Sequence, residues 1–147
     1  MAGRFNRAAV GDELQEELRD LLSLAVVGDH VRWVLSGDEV DEFAHWLVEA
    51  VGQWRAWADQ VARGLASLGV APDGRVRALA TDVPMNWVPD GWLQLDEAQR
   101  LLGNRVMKMA EWARYRESQA THPGILELLH VVSSGLEAQM ATLQTVN

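Results

Sequence analysis

Apolar residues recur at three- and four-residue spacing along most of the chain, which is the period of amphipathic helices. The pattern is clearest from Val40 to Leu68, where it continues for about eight helical turns and ends at Gly69. Similar patterns predict helices over residues 12–35, 96–118 and 123–143, and none predicts a strand. The chain is therefore expected to be all-α.

The segment between the second and third long helices has a different character. Three prolines and two glycines interrupt it, which leaves room for one short helix at about residues 74–81; they are Pro72, Pro84, Pro89, Gly74 and Gly91. A connection of this length can return the chain to the end of the bundle where the second helix begins. The prediction is a four-helix bundle with a short helix in this crossover.

Length and composition indicate one domain, residues 1–147. Its first ten residues, 1–10, are expected to form a flexible N-terminal arm. The chain is 48% hydrophobic and 23% charged, as expected for a globular protein. The longest uncharged apolar run, residues 21–27, is too short to span a membrane, so a cytoplasmic location is expected. The absence of cysteine excludes disulfides, thiolate catalysis and thiolate metal sites.

Charge argues against nucleic acid as a partner. The formal net charge is −8, whereas affinity for DNA comes from many lysine and arginine contacts to phosphates. The N-terminal segment offers only Arg4 and Arg7, and residues 145–147 carry no charged side chain. DNA binding is not expected.

A set of spaced residues carries a family resemblance. Trp33 precedes Gly37 by four positions, Asp59 precedes Ala62 by three, and Leu68-Gly69 closes the same helix. This pattern resembles the Dps branch of the ferritin superfamily, the DNA-binding proteins from starved cells. The resemblance covers nearly the whole chain. It implies a ferritin-like four-helix bundle, at least a dimer or a shell of twelve subunits, and a role in iron sequestration, ferrous oxidation and stress protection.

The iron-ligand positions of that family are largely replaced. Arg32 stands at the first histidine position, Ala44 at the second and Arg63 at the glutamate, so only Asp59 is kept. In the family this site spans a dimer interface, which would bring Arg32 opposite Asp59 and Arg63 of a second copy. Two arginines repel ferrous ions, and one carboxylate cannot hold them. The expectation is a degenerate ferroxidase centre without a cofactor, in which these residues form an interface salt-bridge cluster.

Two alternatives remain open at this point. The first is a working iron-binding protein with unusual ligands, namely Asp59 with His30, His45 or Glu49. The second is a small-molecule-binding protein or enzyme with a pocket at the dimer interface, built from Arg32, Trp33, Trp57, Asp59 and Arg63. Seven tryptophans lend the second alternative substance. Trp54 and Trp112 are expected in the core with Trp46 beside it, whereas Trp87 and Trp92 lie in the crossover, where exposed aromatics mark interfaces or ligand lids.

Other chemistries have less support. Glu42 with His45 and Glu127 with His130 each form a Glu-x-x-His motif of the di-iron type. Because the two helices run antiparallel, the histidines should differ in height by roughly 15–20 Å, too far to share one metal pair. His130 is expected to be half-buried and hydrogen-bonded. The serines have no histidine and acid partners at a recognisable spacing, although tertiary partners stay possible; they are Ser23, Ser36, Ser67, Ser118, Ser133 and Ser134.

Overall fold

The computed structural model describes residues 6–80 and 88–143, and its architecture is that of four long helices and one short one. The helices are α1 (Arg7–Val34), α2 (Asp41–Ser67), α3 (Val76–Ala80), α4 (Leu95–Gln119) and α5 (Pro123–Leu143). Two strands of two residues each, β1 (Leu35–Ser36) and β2 (Leu93–Gln94), complete the described elements. The all-α prediction and the four long helices are confirmed, and the crossover contains its expected short helix.

The four long helices form two antiparallel hairpins that pack side by side. Helix α1 packs along α2 and α4 packs along α5, while α1 also contacts α4 and α2 contacts α5. Buried leucines, valines and alanines from all four helices fill the space between them. None of the described helices combines the length and apolar character needed to cross a membrane.

A short parallel pairing of β1 with β2 corrects the prediction that the chain forms no strand. Leu35 lies opposite Leu93 and Ser36 lies opposite Gln94. The Ser36 hydroxyl also donates a hydrogen bond to the Leu93 carbonyl oxygen at 3.3 Å. Two residues are too few to show an alternating pattern, so the sequence carried no strand signal. The pairing places the end of α1 beside the start of α4, which confirms that the crossover returns the chain to this end of the bundle.

The first helix begins at Arg7 and not near Asp12, so residues 7–10 of the expected arm are helical. Asn6 provides the missing start signal, because its side-chain oxygen accepts a hydrogen bond from the Ala9 amide at 3.2 Å. Val10 then packs against the core. Residues 1–5 of the arm lie outside the described part of the chain.

Helix α2 ends as the sequence predicts. The Val70 amide donates to the Leu65 carbonyl oxygen at 3.0 Å, and the Gly69 amide donates to that of Ala66 at 2.9 Å. This pair of bonds is a Schellman motif, which requires a left-handed residue after the helix. Gly69 supplies it with a φ of 77°. In the crossover, Leu79 of α3 is buried, while Thr81 and Pro84 of the expected segment are outside the described residues.

Two tryptophans of α2 lie directly against glycines of neighbouring helices. The Trp54 ring and the Val51 side chain occupy the space where a Cβ of Gly28 on α1 would be, and the Trp57 ring occupies the corresponding space at Gly135 on α5. Trp54 is fully buried and donates from its indole nitrogen to Gln139 Oε1 at 2.7 Å. These contacts fix the position of α2 against both α1 and α5.

The Trp57 contact predicts opposite outcomes for two glycine-to-alanine changes. Gly135→Ala should lower the free energy of unfolding by about 1–3 kcal/mol, because the new methyl group overlaps the Trp57 ring. Gly52→Ala is the matched control, since a Cβ there meets no atom within 4 Å. The control should raise stability by up to about 1 kcal/mol through helix propensity. Urea unfolding of both variants measures the difference, and equal effects would contradict the interlocked arrangement.

Candidate functional site

Arg32 lies at the end of α1 in a chain of ion pairs within one subunit. Its Nη2 is 3.2 Å from Asp29 Oδ1, and the other oxygen of Asp29 is 3.2 Å from Arg55 Nη2 on α2. The guanidinium carbon also lies 5.9 Å from the centre of the Trp33 ring. Its Nε is buried and has no hydrogen-bond partner among the described residues. Arg32 is thus a cation partly neutralised by its own chain.

Asp59 is bound to Arg63 one helical turn later. The Arg63 Nε lies 3.0 Å from Asp59 Oδ2, and both side chains are exposed on α2. Asp29 on α1 and Arg55 on α2 lie at the same height because they form an ion pair. Arg32 lies three residues from Asp29 toward one end of the bundle. Asp59 lies four residues from Arg55 toward the other end. Arg32 and Asp59 therefore differ in height by roughly 10 Å. One subunit alone does not bring Arg32 together with Asp59.

The other residues named as metal ligands also lie apart from Asp59. His45 and Glu49 form an exposed pair on α2, with His45 Nε2 3.5 Å from Glu49 Oε1. His30 is half-buried on α1. Over residues 6–80 and 88–143, no three or more histidines, aspartates and glutamates are grouped so that they could hold a metal ion. The structure of one chain leaves these side chains distributed along two helices.

The tryptophans divide into core and surface residues. Trp57 is 5% exposed and faces α5, so its ring takes part in the core. Trp33 and Trp92 are 65% and 75% exposed and flank the β1–β2 pairing. Trp112 was expected in the core but is 46% exposed, and its ring packs edge-on against the exposed Tyr115 at the helix surface. Trp46 packs beside the core as predicted, and Trp87 lies outside the described residues.

The two Glu-x-x-His motifs are far apart, as expected. Trp57 lies level with Gly135, so His45 and His130 differ in height by roughly 25 Å along the antiparallel helices. His130 is hydrogen-bonded as predicted, with Nδ1 2.8 Å from Glu117 Oε2. It is more exposed than expected, however, because it projects from the outer edge of α5 toward the carboxylate of Glu117 on α4.

A buried ionic cluster joins the two hairpins, and sequence analysis did not identify it. Arg116 of α4 lies 3.1 Å from Glu17 and 2.9 Å from Asp20, both on α1. Its Nη2 also lies 3.4 Å from Glu16, and its guanidinium carbon is 5.8 Å from the Trp112 ring centre. The only sequence signal for this cluster was a charged residue on the apolar side of each of the two helices, α1 and α4. The partners are nearly a hundred positions apart in sequence, so the signal did not identify the pair.

Burial controls the titration of this cluster. Glu17 is fully buried, and burial raises the pKa of its carboxyl to about 7, although Arg116 acts in the opposite direction. Glu17 Oε2 has no hydrogen-bond partner among the described residues. Burial also acts to lower the pKa of Arg116, but Glu17 and Asp20 outweigh it and leave that pKa raised. Arg116 therefore stays charged while Glu17 titrates near neutral pH.

A small cavity adjoins the cluster at the opposite end of the bundle from Trp33. Its volume is about 210 Å³, and it lies between the start of α1, the end of α4 and the start of α5. Leu14, Ile125 and Leu129 give it apolar walls, and Arg116 reaches its edge. The residues predicted to form a ligand site do not line it.

Comparison with known proteins identifies the fold. No protein-family model matches the sequence, and the curated proteins contain no match to it. Solved structures do match: the tetragonal form of Mycobacterium smegmatis Dps superimposes with a TM-score of 0.88 at 21% identity, over 95% of this chain and 86% of that chain. Microbacterium arborescens Dps in the high iron form gives a TM-score of 0.87 at 17% identity, over 99% and 96%. Streptomyces coelicolor DpsA14 gives 0.87 at 22%, over 95% and 84%.

These similarities confirm the Dps-type ferritin-like fold that the motif spacing indicated. At such identities they concern the fold alone.

Glu17 predicts an unusual dependence of stability on pH. Its pKa is higher in the folded protein, at about 7, than its ordinary value of 4.5, so the folded state binds the proton more tightly. The free energy of unfolding should therefore fall by roughly 2 kcal/mol as the pH rises from 5 to 8. Glu17→Gln should remove that decline. Denaturant unfolding at a fixed protein concentration from pH 5 to pH 8 measures it.

Glu13→Gln is the control for this experiment, since Glu13 lies one turn earlier on α1 and is half-buried. It should retain the wild-type decline. Parallel stability curves for wild type and Glu17→Gln would show that Glu17 does not titrate in this range.

Proposed function

We propose that this protein is a divergent Dps-like assembly module of the cytoplasm whose iron-oxidation centre has been replaced by ion pairs. The fold is that of Dps structures, but three of the four ligand positions implied by the resemblance carry Arg32, Ala44 and Arg63. The observation that carries the proposal is the 3.0 Å pair between Asp59 and Arg63. The one retained carboxylate is already bound to a cation.

The electrostatics of this pair oppose iron binding. A ferrous ion at Asp59 would have to displace the Arg63 guanidinium or share the carboxylate with it. If two copies pair as the resemblance implies, Arg32 of the second copy adds further positive charge there. Arginine forms planar, directional bonds with carboxylates and cannot lose its proton at neutral pH. The same positions then hold subunits together through charge-assisted hydrogen bonds.

Two exposed tryptophans support self-association at one end of the bundle. Trp33 and Trp92 flank the β1–β2 pairing with most of their surface uncovered. Large exposed aromatics that lie close together are typical of interfaces. A homo-oligomer, at least a dimer, would cover them and bring Arg32 of one copy toward Asp59 of another. The net charge of −8 does not favour DNA as a partner of that assembly.

Asp59→Ala separates this proposal from its alternatives. Loss of the carboxylate should raise the dissociation constant of the dimer about tenfold, which corresponds to 1.4 kcal/mol. Glu49→Ala is the control for dimer dissociation, because it removes another exposed carboxylate of α2, whose partner is His45. Native mass spectrometry over a series of protein concentrations measures both dissociation constants and any bound mass.

The three hypotheses predict different native mass spectra. Weaker association of Asp59→Ala with no bound mass supports the proposed module. Loss of bound iron in this variant would instead indicate a working iron site with unusual ligands. Loss of a reproducible organic adduct would indicate a small-molecule pocket built from Arg32, Trp33, Trp57, Asp59 and Arg63.

A further inference from the structure

Three side chains between α4 and α5 are arranged as a nucleophile, a base and an orienting acid. The Ser134 hydroxyl lies 3.4 Å from His130 Nε2, and the other ring nitrogen, Nδ1, lies 2.8 Å from Glu117 Oε2. Ser134 and His130 are one helical turn apart on α5, while Glu117 comes from α4. We propose that Ser134 is a nucleophile that accepts acyl groups from activated esters, and that His130 and Glu117 activate it. This inference is independent of the proposed assembly function.

The acid of this relay is held in place by its own partners. Glu117 Oε1 accepts hydrogen bonds from the fully buried Ser133 at 2.6 Å and from Arg114 Nη1 at 2.6 Å. Its second oxygen is then directed at His130. Burial acts to raise the pKa of Glu117, but the hydrogen bonds from Ser133 and His130 outweigh it and lower that pKa. Glu117 is therefore an ionised acceptor for a proton on His130 Nδ1, and in that tautomer Nε2 accepts from Ser134.

A groove on the same pair of helices provides room for an apolar acyl chain, although Ser134, His130 and Glu117 do not themselves line it. It has a volume of about 620 Å³ and lies between α4 and α5. Its lining is mainly apolar and includes Met107, Ala110, Tyr115 and Met140. Arg114 links the groove to the relay, because its Nη2 lies 2.7 Å from the groove residue Glu137 while its Nη1 binds Glu117. Glu137 is also only one helical turn from Ser134.

The reaction follows from these contacts. The Ser134 oxygen attacks the ester carbonyl carbon while its proton passes to His130 Nε2. Collapse of the adduct breaks the bond to the leaving alcohol, which takes that proton, and the acyl group stays on Ser134. Water, activated by His130, then releases the carboxylic acid and restores the serine. The net change is ester plus water to acid plus alcohol.

The position of Ser134 limits the substrates. It lies in the middle of α5, where backbone N–H groups are engaged in helical hydrogen bonds, so they do not form an oxyanion hole. Stabilisation of the tetrahedral oxyanion is therefore weak. The site should act on esters with good leaving groups and an apolar acyl chain, such as aryl esters, and should not hydrolyse amides.

A fluorophosphonate probe with an alkyl chain tests the nucleophile in the folded protein. Attack by Ser134 forms an oxygen–phosphorus bond, expels fluoride and transfers the serine proton to His130. Intact mass and peptide mapping should place one adduct on Ser134. Ser134→Ala should abolish labelling, and His130→Asn should slow it about 100-fold, the usual contribution of a general base.

Two control variants distinguish activation from ordinary surface reactivity. Ser67 donates a hydrogen bond to the Gly64 carbonyl oxygen, and His45 pairs with Glu49. Ser67→Ala and His45→Asn should therefore leave labelling unchanged. Circular dichroism of each variant confirms that the bundle is folded. Absence of an adduct on Ser134, or a labelling rate that His130→Asn does not change, would overturn the proposal.

Discussion

Helix α2 is fixed within the bundle by two tryptophan rings that lie against glycines of the neighbouring helices. Trp54 packs over Gly28 of α1, and Trp57 packs over Gly135 of α5. A Cβ at either glycine would overlap the side chains of α2, so these close contacts hold each neighbouring helix at its observed level on α2. This register separates Asp59 from Arg32 along the bundle axis, and it keeps His45 far from His130. The separation of the charged groups is therefore a consequence of core packing.

The charged residues then satisfy one another within the subunit. Asp29 bridges Arg32 and Arg55 across the first hairpin, and Arg116 joins α4 to Glu17 and Asp20 of α1. The second interaction is buried and holds the hairpins together at the end of the bundle opposite Trp33. A buried pair of this kind adds little net stability, because both partners lose their hydration. Trp33 and Trp92, in contrast, keep most of their surface exposed at the other end of the bundle.

Sequence periodicity was sufficient for the helices and their order. The long apolar pattern of α2 and the left-handed Gly69 after it are local signals, and both were read correctly. The start of α1 was wrong because the cap is the single residue Asn6, and the two-residue strands were missed because they show no pattern. Trp112 was misplaced since an aromatic at a helical period can also lie at the edge of a core. The Arg116 cluster and the Ser134 relay depend on contacts between helices that pattern analysis does not reach.

The central claim is that ion pairs have replaced the iron-oxidation centre in a Dps-type fold. Ferrous oxidation under air, followed by ferric absorbance, tests it most directly. The wild-type protein should oxidise iron no faster than buffer does, whereas the combined variant Arg32→His, Ala44→His and Arg63→Glu should gain activity if the copies pair as the resemblance implies. Wild-type oxidation above that of buffer, abolished by Asp59→Ala, would contradict the claim.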